Sequence, residues 1–161
     1  MSKYCPKINS KVTYMYCQEC DDKICQSTHD DAFYLLVAGT RTYEDYTELS
    51  AICDYMLSKT SGNVCIVSGG ASGADKLSER YAMERGYQLE VFPAKWNMYG
   101  KQAGMIRNQQ MHSFIAKHTH RAVLCFWDGE SRGTKSNFQM AKDNNTQIAI
   151  WNYNKKQWVT L

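Results

Sequence analysis

The chain has 161 residues, a length that corresponds to one domain with a single sizeable core and leaves little room for tandem folds. Its 19 Lys and Arg residues against 16 Asp and Glu residues give a net charge of +3, which excludes a polybasic protein but permits a local basic patch. With 43% hydrophobic residues the chain is too apolar to be disordered, and it has no long uncharged apolar run that would span a membrane. We therefore expect a soluble protein without a membrane partner.

The seven cysteines fall into two groups, and four of them lie within the first 25 residues. The N-terminal residues lack the apolar segment of a secretory signal, so we expect a cytoplasmic location in which thiols stay reduced. Cys17 and Cys20 form a C-x2-C pair, in which two thiolates can hold one zinc ion from a tight turn. This spacing predicts a structural zinc site in a knuckle-like segment at residues 1–30, with unligated or redox-active thiols as the alternative. The predicted ligands are Cys5, Cys17, Cys20 and Cys25, and His29 is a candidate replacement for one of them.

From residue 31 to residue 161, apolar runs alternate with amphipathic stretches, which is typical of an α/β domain. The apolar run at 33–39 predicts a buried parallel strand, and the following helix places Leu49, Ile52, Cys53 and Met56 on one face. Further strands are predicted at 64–70, 88–92, 121–127 and 146–151, and further helices at 74–85, about 103–117 and up to about 144. The order predicts a Rossmann-like parallel sheet of about five strands with helices on both faces. Free cysteines pack as small hydrophobic residues, so the core is expected to contain Cys53, Cys65 and Cys125.

Three glycine-bearing loops follow predicted strands: GTR at 39–41, SGGASGAD at 68–75 and DGESRGT at 128–134. The carboxyl ends of parallel strands meet at one edge of the sheet, where ligands of such folds bind. The second loop opens a helix, so its backbone N–H groups can approach an anion, although a tight connection has the same composition. Asp75 in this loop is either a helix cap or helix-dipole partner, or a contact for a ligand hydroxyl. The third loop offers hydroxyl groups and Arg132 to a phosphate.

The stretch between Phe92 and Trp127 contains five Lys and Arg residues and no acidic residue. This pattern favours an anionic ligand at the same sheet edge, with solvated helix faces as the alternative for the lysines. Arg107 follows a glycine loop at the start of a helix, where it is well placed to clamp phosphate. Trp96 and Tyr99 are expected either to stack on a base or to pack their loop against the core. We expect the three histidines of this stretch at the surface.

Four motifs, VAGTR, IVSGGASGAD, FPAKWNMYGKQAGMIRNQQM and FWDGESRGT, occur in this order within residues 33–150. The first two resemble DprA/Smf proteins, and the set is most similar to the YspA/YpsA-related branch of the SLOG superfamily, which also includes the Lonely Guy (LOG) phosphoribohydrolases. The resemblance implies a Rossmann-like sheet that binds a nucleotide or a nucleotide-derived ligand. It places the phosphates at Gly69, Gly70, Gly73, Gly133 and Thr134, and it matches Arg107 to the arginine that LOG enzymes use beside the ribosyl phosphate.

One motif departs from the LOG pattern at the paired acidic residues. The LOG sequence Gly-Thr-x-Glu-Glu reads Gly133-Thr134-Lys135-Ser136-Asn137 here. Cleavage of an N-ribosyl bond passes through an oxocarbenium-like state, which a nearby carboxylate stabilises and an amide does not match. Hydrolysis by this chain would therefore need Asp75, Asp128 or Glu130 to replace the missing pair.

Three functions follow as hypotheses. The first is binding or sensing of a nucleotide-like small molecule. The second is hydrolysis of a nucleotide or nucleotide sugar, with Arg107 binding phosphate and Asp75 or Asp128 as the acid, and the third is single-stranded nucleic acid binding, as in DprA. A second copy of the chain, giving a homo-oligomer, is a further candidate partner. The candidate ligand-binding residues are Gly39, Thr40, Arg41, Ser68, Gly69, Gly70, Gly73, Asp75, Trp96, Arg107, Asn108, Ser131, Arg132, Gly133 and Thr134.

Overall fold

A computed structural model describes residues 2–5, 10–13 and 32–161 of the chain. Two short strands, β1 (Ser2–Cys5) and β2 (Ser10–Thr13), pair antiparallel in a sheet of their own. Three predicted zinc ligands and their candidate replacement lie outside the described residues: Cys17, Cys20, Cys25 and His29. Only the backbone of Cys5 is described, within β1, so the zinc site stays a prediction. In the described part of the chain, no group of three His, Cys, Asp or Glu side chains is arranged to hold a metal ion.

Residues 32–161 form alternating strands and helices, as the sequence predicts. The strands are β3 (Phe33–Gly39), β4 (Val64–Ser68), β5 (Gln88–Val91), β6 (Arg121–Trp127), β7 (Ile148–Asn152) and β8 (Gln157–Val159). The helices are α1 (Tyr46–Met56), α2 (Ala74–Arg85), α3 (Trp96–Tyr99), α4 (Ala103–Ala116) and α5 (Arg132–Asp143), with a 3-10 turn at Gly100–Gln102 before α4. Among the helices described, none is long and apolar enough to cross a membrane.

The strands β3 to β8 form one mostly parallel sheet in the order β5-β4-β3-β6-β7-β8. The first five of these strands in the chain pair in parallel, and β8 turns back antiparallel to β7. The chain builds outward from β3 through β4 to β5, then returns to pair β6 with the other side of β3. This is the strand order of a doubly wound sheet, in which a crevice opens where the direction of building reverses. The five predicted parallel strands are present, and the antiparallel β8 was not predicted.

Helices cover both faces of the sheet because successive residues of the buried strands point to opposite sides. Leu35 and Val37 of β3 pack into one apolar cluster together with residues of α1 and α2. Tyr34 and Leu36 pack into a second cluster with residues of α4 and α5. The three cysteines expected in the core are free and buried: Cys53, Cys65 and Cys125. Burial raises the pKa of the Cys53 thiol to about 12, so this group is an apolar core residue at neutral pH.

Candidate functional site

A cleft of about 690 Å³ opens at the carboxyl ends of β3 and β6, where the direction of building reverses. Its walls are the end of β3 with the loop that follows it (residues 38–42), the first turn of α2, one face of α4, and the loop that leads from β6 into α5. A smaller cavity of about 320 Å³ adjoins it and is lined by the loop after β4. The two cavities share Arg41, Ala71, Trp96 and Arg107.

The structure brings most of the predicted site residues to these two cavities. The larger cleft is lined by Gly39, Thr40, Arg41, Asp75, Trp96, Arg107, Asn108, Asp128, Ser131, Arg132, Gly133 and Thr134. Gly69 and Gly70 line the smaller cavity. The remaining two, Ser68 and Gly73, line neither. The predicted residues therefore lie at one edge of the sheet, but the prediction does not separate residues that face the cleft from residues that shape the loop behind it.

Ser68 and Gly73 hold the conformation of the loop after β4. The buried Ser68 hydroxyl donates to Glu79 Oε2 at 2.8 Å and accepts from the Gly70 amide at 3.1 Å. Gly73 has a φ of 80°, and a Cβ at this position would collide with the Thr40 carbonyl oxygen. Glycine is therefore required there for the loops after β3 and β4 to approach each other.

Arg107 crosses from α4 to the loop after β4 and is only 7% exposed. Its Nε donates to Asn108 Oδ1 at 2.8 Å, and its Nη1 donates to the Gly69 carbonyl oxygen. A Cβ on Gly69 would lie 2.5 Å from Arg107 Nη1 and 2.8 Å from Asp75 Oδ2, so this glycine lets both charged groups approach the loop. A guanidinium has five N–H donors, and these two bonds leave three for another acceptor.

Asp75 is 5% exposed and lines the larger cleft. Burial raises the pKa of its carboxyl group to about 6, although the positive charge of Arg107 and the Ala71 amide act in the opposite direction. That amide donates to Asp75 Oδ2 at 3.2 Å, whereas no side chain caps the start of α2. Asp75 therefore does not cap α2 through a side-chain hydrogen bond, but it lies in the first turn of the helix, where a negative charge suits the helix dipole. Its carboxylate holds the loop while facing the cleft.

The loop before α5 is fixed by its own side chains. Asp128 Oδ1 accepts from the amides of Glu130 and Ser131 at 2.8 and 2.7 Å. Ser131 is the N-cap of α5, and its hydroxyl oxygen accepts from the Thr134 amide at 3.4 Å. Glu130 is exposed and lines neither cavity. The N-terminus of α5, with its partial positive charge, is thereby held against the cleft.

The two positions that carry acids in the LOG pattern hold uncharged side chains with internal partners. Ser136 Oγ donates to the Gly133 carbonyl oxygen at 2.7 Å. Asn137 Nδ2 donates to the Thr134 carbonyl oxygen at 3.2 Å, and its Oδ1 lies 2.8 Å from His112 Nε2. This part of the cleft wall therefore presents no carboxylate and no group that titrates near neutral pH.

The prediction of surface histidines is wrong for His112, which is completely buried. It shares the inward face of α4 with Asn108, Met111 and Ile115, at the i, i+3, i+4, i+7 spacing of one helix face. Burial lowers the pKa of His112, although its hydrogen bond with Asn137 acts in the opposite direction. The ring is therefore a neutral core group at neutral pH.

The basic stretch divides between the two edges of the sheet. Lys101 and Arg107 line the cleft, together with Arg41 from the loop after β3 and Arg132 from the start of α5. Arg121 begins β6 and therefore lies at the opposite, amino edge, which contradicts the expectation that the whole stretch leads into one edge. Lys95 and Lys117 do not line the cleft. The positive charge at the cleft thus comes from the loop after β3, the 3-10 turn, α4 and the start of α5.

Trp96 lies between the two cavities and is 49% exposed. The guanidinium of Arg41 lies 5.7 Å from the centre of its ring. This exposure argues against packing in the core, which was one of the two sequence interpretations. The ring therefore offers an aromatic surface at the junction of the cavities.

Sequence reasoning missed the rest of the α4 wall, which is made by Gly104 and Met111 beside Arg107 and Asn108. These four residues have the i, i+3, i+4, i+7 spacing of a helix face. Arg107 is the one residue of α4 with a predicted role in phosphate binding. Extending the helix spacing from Arg107 would have identified the other three.

The chain is similar to a protein family, to a phage protein and to a solved structure. A model of the YAcAr family, described as the YspA, cpYpsA-related SLOG family, matches residues 33–99. The chain is 34% identical over 107 residues to the Gene 61 protein of Mycobacterium phage D29, an alignment that covers 63% of this chain and 82% of that protein. It is also similar to the crystal structure of a predicted subunit of tRNA methyltransferase from Methanocaldococcus jannaschii, with a TM-score of 0.36, 15% identity, and coverage of 72% of this chain and 67% of that one.

Proposed function

The chain belongs to the YspA, cpYpsA-related SLOG family, and from the geometry of its cleft we propose that it binds a nucleotide-derived ligand between the carboxyl ends of β3 and β6. One observation carries this proposal. The cleft of about 690 Å³ lies at the reversal point of the sheet, and four cationic side chains line it: Arg41, Lys101, Arg107 and Arg132. Ligands of open α/β sheets bind at this point, and cations there favour an anionic ligand.

The phosphate of the ligand has two candidate contacts in the cleft. The N-terminus of α5 lines the cleft at Gly133, and its partial positive charge is the feature with which helices bind anions. Arg107 supplies the remaining guanidinium donors from the opposite wall. An anion between these walls would be held from both sides.

The rest of the cleft suits the base of a nucleotide. A volume of about 690 Å³ is within the range of sites for small molecules. Trp96 offers a half-exposed aromatic ring, and Met105 and Met111 supply apolar contacts on the α4 wall. Aromatic rings bind bases by stacking without selecting a particular base, so this wall supports a base-bearing ligand of unspecified identity.

Catalysis is a second candidate because one observation favours it: Asp75 is a buried carboxyl group in the cleft with its pKa raised to about 6. An acid with such a pKa is suited to donate a proton near neutral pH. Asp128, the other proposed acid, is bonded to two loop amides. With uncharged Ser136 and Asn137 in place of the LOG acids, we propose binding as the principal role, with slow or absent release of base.

Binding of single-stranded nucleic acid has less support. A strand needs a continuous basic track, whereas Arg121 lies at the opposite edge from Lys101 and Arg107. Binding through many phosphates would also weaken steeply as the salt concentration rises. An oligonucleotide that binds more tightly than any mononucleotide, with such a salt dependence, would favour this role instead.

Calorimetry with adenosine, guanosine, cytidine and uridine monophosphates tests the proposal. We expect at least one to bind, and Arg132→Ala to weaken that binding about five- to tenfold, because an exposed arginine contributes one charge-assisted contact. Lys142→Ala is the matched control, since it removes one positive charge from the opposite end of α5. Failure of all four monophosphates to bind, or equal binding of the nucleosides without phosphate, would contradict the proposal. Chromatography of the same samples for free base, with wild type beside Asp75→Asn, tests the hydrolase alternative.

A further inference from the structure

Thr40 lies directly after β3, and its backbone groups are hydrogen-bonded whereas its side-chain hydroxyl is not. Its amide donates to the Phe126 carbonyl oxygen at 3.0 Å, and its carbonyl oxygen accepts from the amides of Tyr43 and Ala74 at 3.2 and 3.4 Å. The side chain is 8% exposed, and its Oγ1 is buried with no hydrogen-bond partner among the described residues. Of the buried side-chain atoms without a partner in residues 32–161, this is the one whose residue lines the cleft.

A buried hydroxyl without a partner destabilises the folded protein relative to an apolar side chain of the same shape. Thr146 provides the comparison, because it is also buried, at 6% exposed. Its Oγ1 accepts from Arg121 Nε at 2.9 Å and donates to the Asn144 carbonyl oxygen at 3.4 Å. Thr146 precedes β7 at the amino edge of the sheet, so the same side chain is satisfied by the protein at one edge and unsatisfied at the other.

Asp75 adjoins Thr40 in the wall of the cleft. The Ala74 amide, one residue before Asp75, donates to the Thr40 carbonyl oxygen, and both side chains line the cleft while being at least nine-tenths buried. A carboxylate accepts hydrogen bonds and repels an anionic oxygen, whereas a threonine hydroxyl both donates and accepts. A neutral hydroxyl of a ligand can satisfy both, because it donates to the carboxylate and can donate to or accept from the threonine hydroxyl.

We propose that Thr40 Oγ1 and the Asp75 carboxylate form a subsite for a sugar hydroxyl of the ligand. This inference rests on the proposed function, since it assigns a part of the same ligand to a part of the same cleft. The phosphate lies at α5 and Arg107, and the ribose lies with a hydroxyl between Thr40 and Asp75. The cleft then selects a ribonucleotide over a nucleotide that lacks the contacted hydroxyl.

Thr40→Val removes the hydroxyl and retains the shape of the side chain. Without ligand, it should raise the melting temperature by about 2–4 °C, because a buried unsatisfied group is removed from a chain of this size. It should weaken binding of a ribonucleoside monophosphate about three- to tenfold, the effect of one hydrogen bond. Thr40→Ser, which retains the hydroxyl, should keep most of the affinity. Thr146→Val is the matched control and should lower the melting temperature while leaving the affinity unchanged.

The 2′-deoxy and 3′-deoxy monophosphates identify the contacted group. Wild type should bind one of them about as weakly as Thr40→Val binds the ribonucleotide, and Thr40→Val should no longer distinguish the two forms. Equal affinities of wild type and Thr40→Val for the ribonucleotide, or a lower melting temperature of Thr40→Val without ligand, would overturn the inference and leave the proposed function intact. If no monophosphate binds wild type, the proposed function itself fails and this inference fails with it.

Discussion

An arginine and a buried threonine lie at each edge of the sheet, but the protein satisfies their hydrogen-bonding groups to different extents. At the amino edge, Arg121 donates to Thr146 Oγ1 and to the carbonyl oxygens of His118, Asn144 and Asn145, at 2.7–3.3 Å. A cavity of about 440 Å³ lies beside it. At the carboxyl edge, Arg107 makes two hydrogen bonds, Thr40 Oγ1 makes none among the described residues, and burial raises the pKa of Asp75.

Both edges thus contain an arginine and a cavity, so neither feature by itself marks a binding site. The difference between these two sites lies in how far the protein satisfies the polar groups of Arg121 and Thr146 on one side and of Arg107 and Thr40 on the other. The N–H donors of Arg121 bind carbonyl oxygens and a hydroxyl of the surrounding loops. At the carboxyl edge, Arg107 and Thr40 are held by neighbouring residues but have hydrogen-bonding atoms left for a ligand. An unsatisfied polar group in the wall of a cavity is a candidate contact for a ligand.

Replacing the two arginines should give the largest contrast. Arg107→Ala should weaken binding of a ribonucleoside monophosphate by about 1.5–3 kcal/mol, the scale of a charge-assisted hydrogen bond. Arg121→Ala should leave the affinity unchanged but lower the free energy of unfolding, because it leaves Thr146 Oγ1 and three carbonyl oxygens without their donor. Calorimetry and urea unfolding measure the two quantities. Equal losses of affinity in the two variants would remove the distinction between the edges.

A smaller contrast is expected in the pH dependence of stability. Because the folded pKa of Asp75 is raised to about 6, the folded protein binds more protons than the unfolded chain between about pH 4 and 6. This group therefore favours folding most at low pH, and its contribution falls as the pH rises to 6. The free energy of unfolding of Asp75→Asn, taken relative to that of wild type, should therefore increase from pH 4 to pH 7 by on the order of 2 kcal/mol.

Asp54 provides the control with the opposite sign. Hydrogen bonds from Arg85, at 2.8 and 3.2 Å, hold the pKa of its carboxyl group below the usual value. Its contribution to stability is present above the unfolded pKa and is lost as the pH falls through the folded pKa. Asp54→Asn should therefore lose stability relative to wild type at neutral pH and approach it in acid. Urea unfolding from pH 3 to pH 8 measures both variants, and parallel curves for the two would contradict the assignment of Asp75.

The fold was largely predictable because its signals are local. The apolar runs at 33–39 and 121–127 have the bounds of β3 and β6, and the bounds predicted for α2, Ala74 to Arg85, are those observed. Strand β8 was not predicted because it has only three residues and follows a turn without glycine. In that turn Lys156 adopts a φ of 53°, and the Asn152 side chain accepts from the amides of Asn154 and Lys155.

The candidate site was predictable only at the level of loops. Parallel topology brings the loops after β3, β4 and β6 to one edge, and glycine spacing in the sequence locates them. Which side chains face the cleft depends on how α4 is rotated about its axis against the sheet. That rotation is set by tertiary packing and not by the local sequence. The helix period alone therefore did not show that His112 turns inward, and the glycine spacing of the loop did not show that Ser68 lies behind it.

The central claim is that an anionic ligand binds at the carboxyl edge and not at the amino edge. Backbone amide chemical shifts of the ¹⁵N-labelled protein, followed while a ribonucleoside monophosphate is titrated in, test it most directly. We predict saturable changes centred on residues 38–42, 104–111 and 131–137, which line or adjoin the cleft, with little change at 119–121 and 145–147, which line the cavity of the amino edge. Saturable changes centred on the amino edge would contradict the claim.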